Sequence, residues 1–498
     1  MATVSFCFIF RTMGEEQRKE AEMKQRDLFY GEKKKSRKRS RKKSKKVLPV
    51  CKRRVGKVEA DEIEVKFNNS SVTGYGGYPI TRRFFKWVKL NRYFAQHIHI
   101  GKRSNGYTIP EMGSYLIDSK VLGLERLMHV EVLRHDPLLT KSYGIGSLPA
   151  GKTLGDYLKS YDGEKNESLE RMNTRMNQET SRRVIGNTFQ RVIVDYDSST
   201  MTVYGKQEGA DRGRSFRKKD KPGFQPKFAF IGGLDLMVNQ QLYPESYNLQ
   251  KEFMPFHQET LKKLPDMMEV VGVRGDTALF SESNVRYFEG QGYVYGISAP
   301  MNGPLREAVW QIEDEEWVEC QDERGRIMSV ARIEYKPKTW KGERKYTFIV
   351  SRRLRSHLKQ EVLFPQDKYK YFAYITNKKG TIVEQFTFCV ERCSLERCIK
   401  EAKLGFDIDS LPCAEYEANR AYLGHVQLAY NLAIFFKLSL LPKGVNRWTI
   451  DTIRRRLIAI PGNLVAKSSG WVLRLPNWWP YKDIFRYAER RLLSLQPG

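Results

Sequence analysis

Three acidic residues stand where carboxylates could cooperate in chemistry. Asp197 follows the β-branched run Val192–Val194, Asp276 follows the apolar run Met268–Val273, and Glu396 lies in a predicted helix. Ligands gather beyond the carboxyl ends of strands in an α/β sheet, so the two aspartates are expected to converge. A set made of carboxylates alone suits Mg²⁺ or Mn²⁺, and two such ions can clamp both oxygens of a phosphoryl transfer. Ordinary turn aspartates would give the same pattern.

The residues around Glu396 predict a charged stripe on that helix. At about 100° per residue, Cys389, Arg392, Glu396 and Lys403 fall within about 60° of one another on one face. A carboxylate between two cations on such a face could hold a metal ion while the cations bind phosphates. The same spacing is typical of a surface stripe with i,i+4 ion pairs, so both interpretations remain open.

The elements that must position these residues are predicted to change from helical to mixed to β-rich along the chain. The order strand, strand, helix, strand is typical of an α/β core, and this order begins near residue 191. Six parts are predicted: a disordered basic tail (1–57), a helical N-terminal DNA-binding region (58–190), a first core part (191–304), a β-rich insertion (305–385), a second core part with the glutamate helix (386–440) and a basic C-terminal segment (441–498). Further strands are predicted at 228–231, 293–298, 308–312, 327–335, 346–352 and 371–376, a hairpin at 462–475 and a closing helix at 481–495.

The charge of the chain points to a polyanionic partner. The 498 residues carry 87 Lys and Arg against 58 Asp and Glu, a formal net charge of +29. About half of that excess lies in residues 33–57, which contain fifteen Lys or Arg and no acid. Such a segment gains affinity for nucleic acid by counterion release, although a solvated tail or a nuclear-localisation signal has the same composition. The rest of the chain is basic too, which makes nucleic acid the leading partner class.

Several other classes are excluded or disfavoured by composition. The chain has no apolar run of about 18 residues, so no transmembrane helix and no membrane partner are expected. Seven cysteines in a long chain without an export signal do not indicate a disulfide framework, and a reducing, cytoplasmic compartment is expected. Four of them, at 389, 393, 398 and 413, lack the paired spacing of a zinc site.

Several motifs, taken together and in order, resemble bacterial insertion-sequence transposases of the DDE type. Those proteins have an RNase H-like core interrupted by β-strands, and their pattern around the last acid is Tyr-x2-Arg-x3-Glu-x6-Lys. Here the same spacing holds Cys389, Arg392, Glu396 and Lys403. The blocks that are similar to the family begin at residues 121, 194, 270, 400 and 454, and the resemblance covers about residues 70–495.

The resemblance implies an α/β fold with an RNase H-like catalytic core and a metal-dependent reaction. Asp197, Asp276 and Glu396 would ligate two Mg²⁺ ions, with Mn²⁺ as a substitute. One ion would activate water for strand cleavage at the transposon end, and the freed 3′-hydroxyl would attack target DNA. Arg392, Lys400 and Lys403 would bind DNA. The partners would be the inverted repeats at the transposon ends and the target DNA, held by at least a homodimer in a bacterial, nucleoid-associated setting.

Two positions within the motifs need a choice. Asp195 and Asp197 point to the same face of a strand, and Asp197 is chosen because Ser198 and Ser199 follow it, as in the family's Asp-Ser/Thr-Thr. Cys389 replaces the family tyrosine, which supplies an aromatic surface near a displaced base. Either the DNA-end geometry differs from that of the family or this copy is impaired.

Three other functions remain open on the sequence alone. A basic nucleic-acid-binding protein without catalysis would have the same composition. A decayed transposase would bind DNA ends without cutting them. Another RNase H-like nuclease, such as a resolvase or recombinase, would also need acids and Mg²⁺ but would not join ends.

Overall fold

The computed structural model describes residues 58–101, 106–212, 221–246, 253–321, 325–354, 365–391 and 393–495. The predicted basic tail and Arg392 lie outside these residues. Contacts divide the chain into two units, 1–70 and 71–498. Of the first unit, residues 58–70 are described, and they contain a short 3-10 helix, Ala60–Glu62. All remaining elements belong to the second unit.

The N-terminal part of the second unit is helical. A two-residue strand, β1 (Val72–Thr73), is followed by six helices: α1 (Tyr78–Trp87), α2 (Leu90–His97), α3 (Ile109–Leu122), α4 (Pro137–Tyr143), α5 (Gly151–Lys159) and α6 (Gly163–Ile185). The start of α3 shows why these segments are helical. Thr108 and Glu111 form a reciprocal capping box, and Pro110 occupies the first turn, where its missing N–H costs nothing. Gly123, at φ 93°, ends the helix in the left-handed conformation.

The middle of the chain builds a large sheet. Its elements are β2 (Gln190–Ser198), β3 (Met201–Thr202), β4 (Gly223–Phe224), β5 (Lys227–Ile231), β6 (Leu236–Gln241), α7 (Phe253–Lys263), β7 (Met268–Gly275), α8 (Glu282–Gly290), β8 (Val294–Ala299), α9 (Gly303–Trp310), β9 (Val318–Gln321), β10 (Ile327–Tyr335), β11 (Tyr346–Leu354) and β12 (Tyr369–Thr376). The remaining elements are α10 (Ile382–Val390), α11 (Cys393–Phe406), α12 (Tyr416–Leu440), α13 (Ile450–Ile453), β13 (Gly462–Lys467), β14 (Gly470–Arg474) and α14 (Lys482–Ser494).

Nine strands form one sheet in the order β6-β5-β2-β7-β8-β12-β11-β10-β9. β2, β5 and β6 are antiparallel neighbours, and β7 and β8 run parallel to β2. This mixed five-stranded arrangement is that of an RNase H-like core, which confirms the expected fold class. The β-rich segment continues the same sheet, because β12 pairs antiparallel with β8.

A single buried helix, α12, joins the sheet to the N-terminal helices. Nearly all of its residues are buried, and it packs against α3, α5, α6 and β6. Buried amides fix its register: Asn431 accepts from the Met237 backbone N–H at 2.9 Å and donates to the Met237 carbonyl at 2.8 Å. Asn173 of α6 donates to the Gly424 carbonyl at 2.8 Å. Paired polar groups of this kind specify one packing arrangement in an otherwise apolar interface.

The far side of β2 from Asp195 packs on α7. The Tyr196 hydroxyl and His257 Nδ1 form a buried hydrogen bond of 2.6 Å, and Phe253 packs on the tyrosine ring. Burial lowers the pKa of His257 to about 4, so the imidazole is neutral at physiological pH. β2 is therefore fixed on this face by an uncharged, aromatic layer.

Most of the predicted strands are confirmed, with ends that differ by at most four residues. The hairpin near the C-terminus and the closing helix are also confirmed, as β13–β14 and α14. The strand predicted at 308–312 is wrong, because that segment belongs to α9 and its end. Asn302 caps α9 by accepting from the Leu305 backbone N–H, and Pro304 lies in its first turn. None of the helices in the described ranges is long and apolar enough to cross a membrane.

Candidate active site

The two predicted aspartates lie at the ends of adjacent parallel strands. Asp197 is the second-last residue of β2, and Asp276 directly follows β7. Tyr196 pairs with Gly275 in the ladder between them, so the aspartates occupy the next position on each strand. Neighbouring strands are about 4.8 Å apart. The sheet register therefore brings these two residues to one edge of the core.

The aspartates also share one face of the sheet. Asp195 and Arg274 are ladder partners whose side chains contact each other. Asp197 and Asp276 each lie two residues further along, and side chains two apart on a strand point the same way. Both residues are half-buried. This common face is the one on which a shared ligand would have to bind.

Each aspartate already binds a nearby backbone amide. Asp197 Oδ1 accepts from the Ser198 N–H at 2.8 Å. Asp276 Oδ1 accepts from the Ala278 N–H at 2.9 Å and so caps the short 3-10 helix Thr277–Leu279. Such local bonds restrict the rotamer of a carboxylate. They hold both side chains in place at the ends of their strands.

Asp195, the alternative first acid, is engaged in a buried ion pair. Its Oδ1 accepts from Arg274 Nε at 2.6 Å and its Oδ2 from Arg274 Nη2 at 2.9 Å. Burial opposes the charge of Arg274, but the hydrogen bonds and charges of Asp195 and Glu391 raise its pKa above the ordinary value. Because both oxygens of Asp195 bind this guanidinium, the geometry favours Asp197 as the metal-binding residue.

Glu396 lies in the first turn of α11, on the exposed side of the helix. The opposite side is buried through Leu395, Cys398 and Ile399. α11 packs against β2, α3, α12 and α13. The glutamate helix therefore rests on the strand that carries Asp197, while the glutamate itself faces solvent.

The predicted stripe on a single helix is wrong. Cys389 belongs to α10, which ends at Val390, whereas Glu396 and Lys403 belong to α11, which begins at Cys393. Glu391, a turn residue, lies after the end of α10, so the 100° rule cannot be applied from one helix to the other. Lys400 lies on the exposed side of α11 near Glu396, and Lys403 Nζ lies 3.9 Å from Asp409 Oδ2. Of the described residues in the predicted stripe, Glu396 and Lys403 share one helix, α11.

Cys389 does not lie on a DNA-facing surface. It is 1% exposed, and burial raises the pKa of its thiol to about 12. Its Sγ is 3.2 Å from the point that a Cβ on Gly296 would occupy. The neighbouring Phe388 is also buried, with its ring 5.5 Å from the Arg274 guanidinium. Neither residue offers an exposed aromatic surface, so the role of the family tyrosine does not transfer to this position.

The donor chemistry of the three acids fits a hard divalent cation, since carboxylate oxygens are what Mg²⁺ and Mn²⁺ prefer. Their arrangement is incomplete. Within the part of the chain that the structure describes, no three His, Cys, Asp or Glu side chains are grouped closely enough to hold a metal ion. The aspartates are paired by the sheet, and Glu396 would have to approach them.

Two residues of this region were not predicted from the sequence. Arg274 and Glu391 form an ion pair, with Nη1 and Oε2 2.9 Å apart. A signal for Arg274 does exist, since a charge near the end of an otherwise apolar strand such as Met268–Gly275 requires a partner if that end is buried. Nothing local identifies Glu391, because it lies 117 residues away in sequence.

Comparison with known proteins assigns the chain to a family. Curated protein sequences give no match. Among solved structures, the chain is similar to the piggyBac transposase in a cryo-EM structure of its synaptic complex with hairpin DNA, at a TM-score of 0.38 and 12% identity, over 77% of this chain and 79% of that one. The family model for the transposase DDE domain group 1 matches residues 55–497. Since that match spans far more than half of its length, the chain belongs to this family and is a DDE-type DNA transposase.

Proposed function

We propose that this transposase cleaves DNA strands at the ends of a mobile element and transfers them into target DNA in a divalent-metal-dependent reaction. Asp197, Asp276 and Glu396 are the proposed metal-binding and catalytic residues. Mg²⁺ is the proposed ion, with Mn²⁺ able to substitute. The observation that carries the proposal is the placement of Asp197 and Asp276 on one face, at the ends of adjacent parallel strands, with the Glu396 helix packed on β2.

The roles of the three residues follow from their positions. A bound pair of divalent ions would lower the pKa of a water and neutralise charge on the phosphate that is attacked. Asp197 and Asp276 supply oxygens from a rigid sheet edge, held by their bonds to backbone amides. Glu396 supplies its carboxylate from an exposed helix face, where it also meets solvent and DNA. The aspartates thus define the site, and the glutamate completes it.

The DNA is proposed to run along the exposed side of α11. Lys400 and Lys403 lie there with Glu396, and Arg392 directly precedes the helix. Cations near the bound phosphates would position the DNA backbone without reading its sequence. The N-terminal helical region and the basic tail are proposed to bind the inverted repeats. Holding two ends together requires at least a homodimer, and the proposed setting is the bacterial nucleoid.

Three alternative functions predict different behaviour. A decayed transposase would bind ends without cutting them, and the substitution at Cys389 was its sole support. Because Cys389 is packed in the core against Gly296, its identity no longer argues for decay. A binding protein without catalysis would not depend on the three acids. A nuclease that cuts without joining would show cleavage but no strand transfer.

Cleavage of a duplex that carries the element's own end repeat tests the proposal. Wild type is expected to cut at the repeat boundary in Mg²⁺ or Mn²⁺ and, with target DNA present, to join the cut end to it. Glu396→Gln is expected to bind the duplex as well as wild type. Its cleavage rate is expected to fall by more than the roughly 10–100-fold that is typical when an outer partner of a metal site is lost. The reason is that an amide cannot supply the anionic oxygen that the ion requires.

A matched control is Asp483→Asn, which removes an exposed acid from the first turn of α14. Like Glu396→Gln, it removes one negative charge from the first turn of a helix, and it should leave cleavage unchanged. If wild type binds the end duplex but does not cut it with either ion, the enzymatic proposal fails. If wild type cuts and Glu396→Gln cuts equally well, the assignment of Glu396 fails.

A further inference from the structure

One buried guanidinium connects three separate elements of the catalytic region. Arg274 of β7 binds Asp195 of β2 through Nε and Nη2, at 2.6 and 2.9 Å. Its Nη1 donates to Glu391 Oε2 at 2.9 Å and to the Phe388 carbonyl at 3.3 Å, both at the end of α10. The side chains of Arg274 and Asp195 are 4% and 2% exposed, and that of Glu391 is 31% exposed. Four of the five N–H groups of the guanidinium thus lie within these contacts.

The surroundings leave this guanidinium little freedom to move. The Phe388 ring lies 5.5 Å from its centre. Gly232, in the turn after β5, borders it closely: a Cβ at that position would lie 2.9 Å from Arg274 Nη2 and 3.0 Å from Asp195 Oδ2. Such a distance is too short for a real side chain. The glycine is therefore required for the ion pair to form in this geometry.

Each element joined by Arg274 carries one of the proposed catalytic acids or leads into the segment that carries one. Asp195 lies two residues before Asp197 on β2, and Arg274 lies two residues before Asp276 on β7. Glu391 lies at the end of α10, and the next helix carries Glu396 in its first turn. Residues two apart on a strand share a face, so the guanidinium lies directly behind the edge where the aspartates meet.

The contact with α10 explains how the glutamate helix is placed. Arg274 donates to the Phe388 carbonyl in the last turn of α10, at 3.3 Å, and to the side chain of Glu391, which follows that helix directly. The next helix, α11, begins at Cys393. The end of α10, from which the chain continues into α11, is thereby bound to a side chain from β7. A lysine could not make this set of contacts, because it lacks the planar fork.

We propose that Arg274 is a positioning residue for the transposition reaction, which sets the placement of Asp197, Asp276 and Glu396 through its bonds to Asp195 and Glu391. This inference rests on the proposed function, since it assumes that those three acids hold the metal ions. Arg274 is buried and does not touch DNA. It acts through the backbone segments on which the acids are carried.

The test compares Arg274→Lys and Glu391→Gln with wild type, in complex with the end duplex. Both variants are expected to bind the duplex like wild type and to cleave it about 10–100-fold more slowly, as for other outer partners of metal sites. They should also need more Mn²⁺ for half-maximal cleavage. Mn²⁺ binding to the protein–DNA complex, followed by electron paramagnetic resonance, should weaken in parallel. A loss of folding stability alone would not change the affinity of the folded protein–DNA complex for Mn²⁺.

Arg286→Lys is the matched control, because Arg286 makes an exposed pair with Glu282 at 2.9 and 2.6 Å. It should leave cleavage and Mn²⁺ binding unchanged. Glu391→Gln guards against a folding failure of Arg274→Lys, since Glu391 is partly exposed and keeps an acceptor oxygen. If wild type does not cleave, the proposed function fails and the inference with it. If wild type cleaves, Glu396→Gln does not, and both variants cleave and bind Mn²⁺ like wild type, the inference alone is overturned.

Discussion

Asp197 and Asp276 are held by the backbone ladder of the sheet, whereas Glu396 is held by side chains that pack one helix onto that sheet. Ladder hydrogen bonds fix two residues relative to each other wherever strands pair in register. The position of α11 depends on Leu395, Cys398 and the contacts at the end of α10. The aspartate pair is therefore preformed, whereas the glutamate is adjustable. Substitutions at the sheet and at the helix should have different effects on cleavage and stability.

The largest effect is expected from separating the two neighbouring aspartates of β2. Asp197→Asn should abolish cleavage, a larger loss of rate than the roughly 100-fold upper range for outer partners of metal sites. The free energy of unfolding should change little. Asp195→Asn should instead lower stability by up to about 3–5 kcal/mol, because it takes a carboxylate from the buried Arg274. Glu391 remains as a partner and limits that loss. Cleavage assays and chemical unfolding of both variants provide the measurement.

The opposite result would reverse the assignment within β2. If Asp195→Asn folds like wild type and cannot cut, while Asp197→Asn cuts normally, Asp195 is the metal-binding residue. The bidentate pair with Arg274 would then have to open when DNA binds.

A second, smaller effect tests the helix side. Cys389→Tyr would restore the family tyrosine, but the side chain is buried against Gly296 and has no room for a ring. We expect a loss of about 1–3 kcal/mol in unfolding free energy from overpacking, and no gain in cleavage. Cys320→Tyr is the control, since Cys320 is partly exposed on the edge strand β9 and should change stability by less than about 0.5 kcal/mol. A stable, more active Cys389→Tyr would show that this position faces DNA after all.

The smallest effect concerns the exposed face of α11. Lys400→Gln should weaken binding of the end duplex about equally for all sequences and lower the slope of log K against log salt by about 1. Lys338→Gln, in the exposed turn between β10 and β11, should leave the slope unchanged. Equal slopes for both variants and wild type would place the DNA away from α11. Fluorescence anisotropy at several salt concentrations supplies the measurement.

The same contrast explains what could be predicted from the sequence. The strands that carry Asp197 and Asp276 were predicted from β-branched and apolar runs, because burial on both faces of a parallel strand leaves a continuous apolar pattern. The aspartate edge followed from that alone. β6 was not predicted, since its residues Leu236–Gln241 mix polar and apolar side chains that are buried by packing against α7 and α12.

The errors have two causes, one long-range and one local. The sequence predicts one helix that carries Cys389, Glu396 and Lys403, whereas the structure has two, α10 and α11. Arg274, which is more than 110 residues away in sequence, contacts the end of α10 at the Phe388 carbonyl. The strand predicted at 308–312 failed for a local reason: Asn302 and Pro304 start a helix that runs into it. The predicted domain boundaries remain predictions.

A structure of the protein with the end duplex and Mn²⁺, in which anomalous scattering locates the ions, would show directly which residues bind metal. We expect Asp197, Asp276 and Glu396 to supply oxygens to the ions, at about the 2.0–2.1 Å typical of Mg²⁺, with Asp195 and Glu391 still bound to Arg274. Glu396 should have moved toward the aspartates relative to the DNA-free chain. Ions ligated by Asp195 or Glu391, or a Glu396 that stays in solvent, would contradict this expectation.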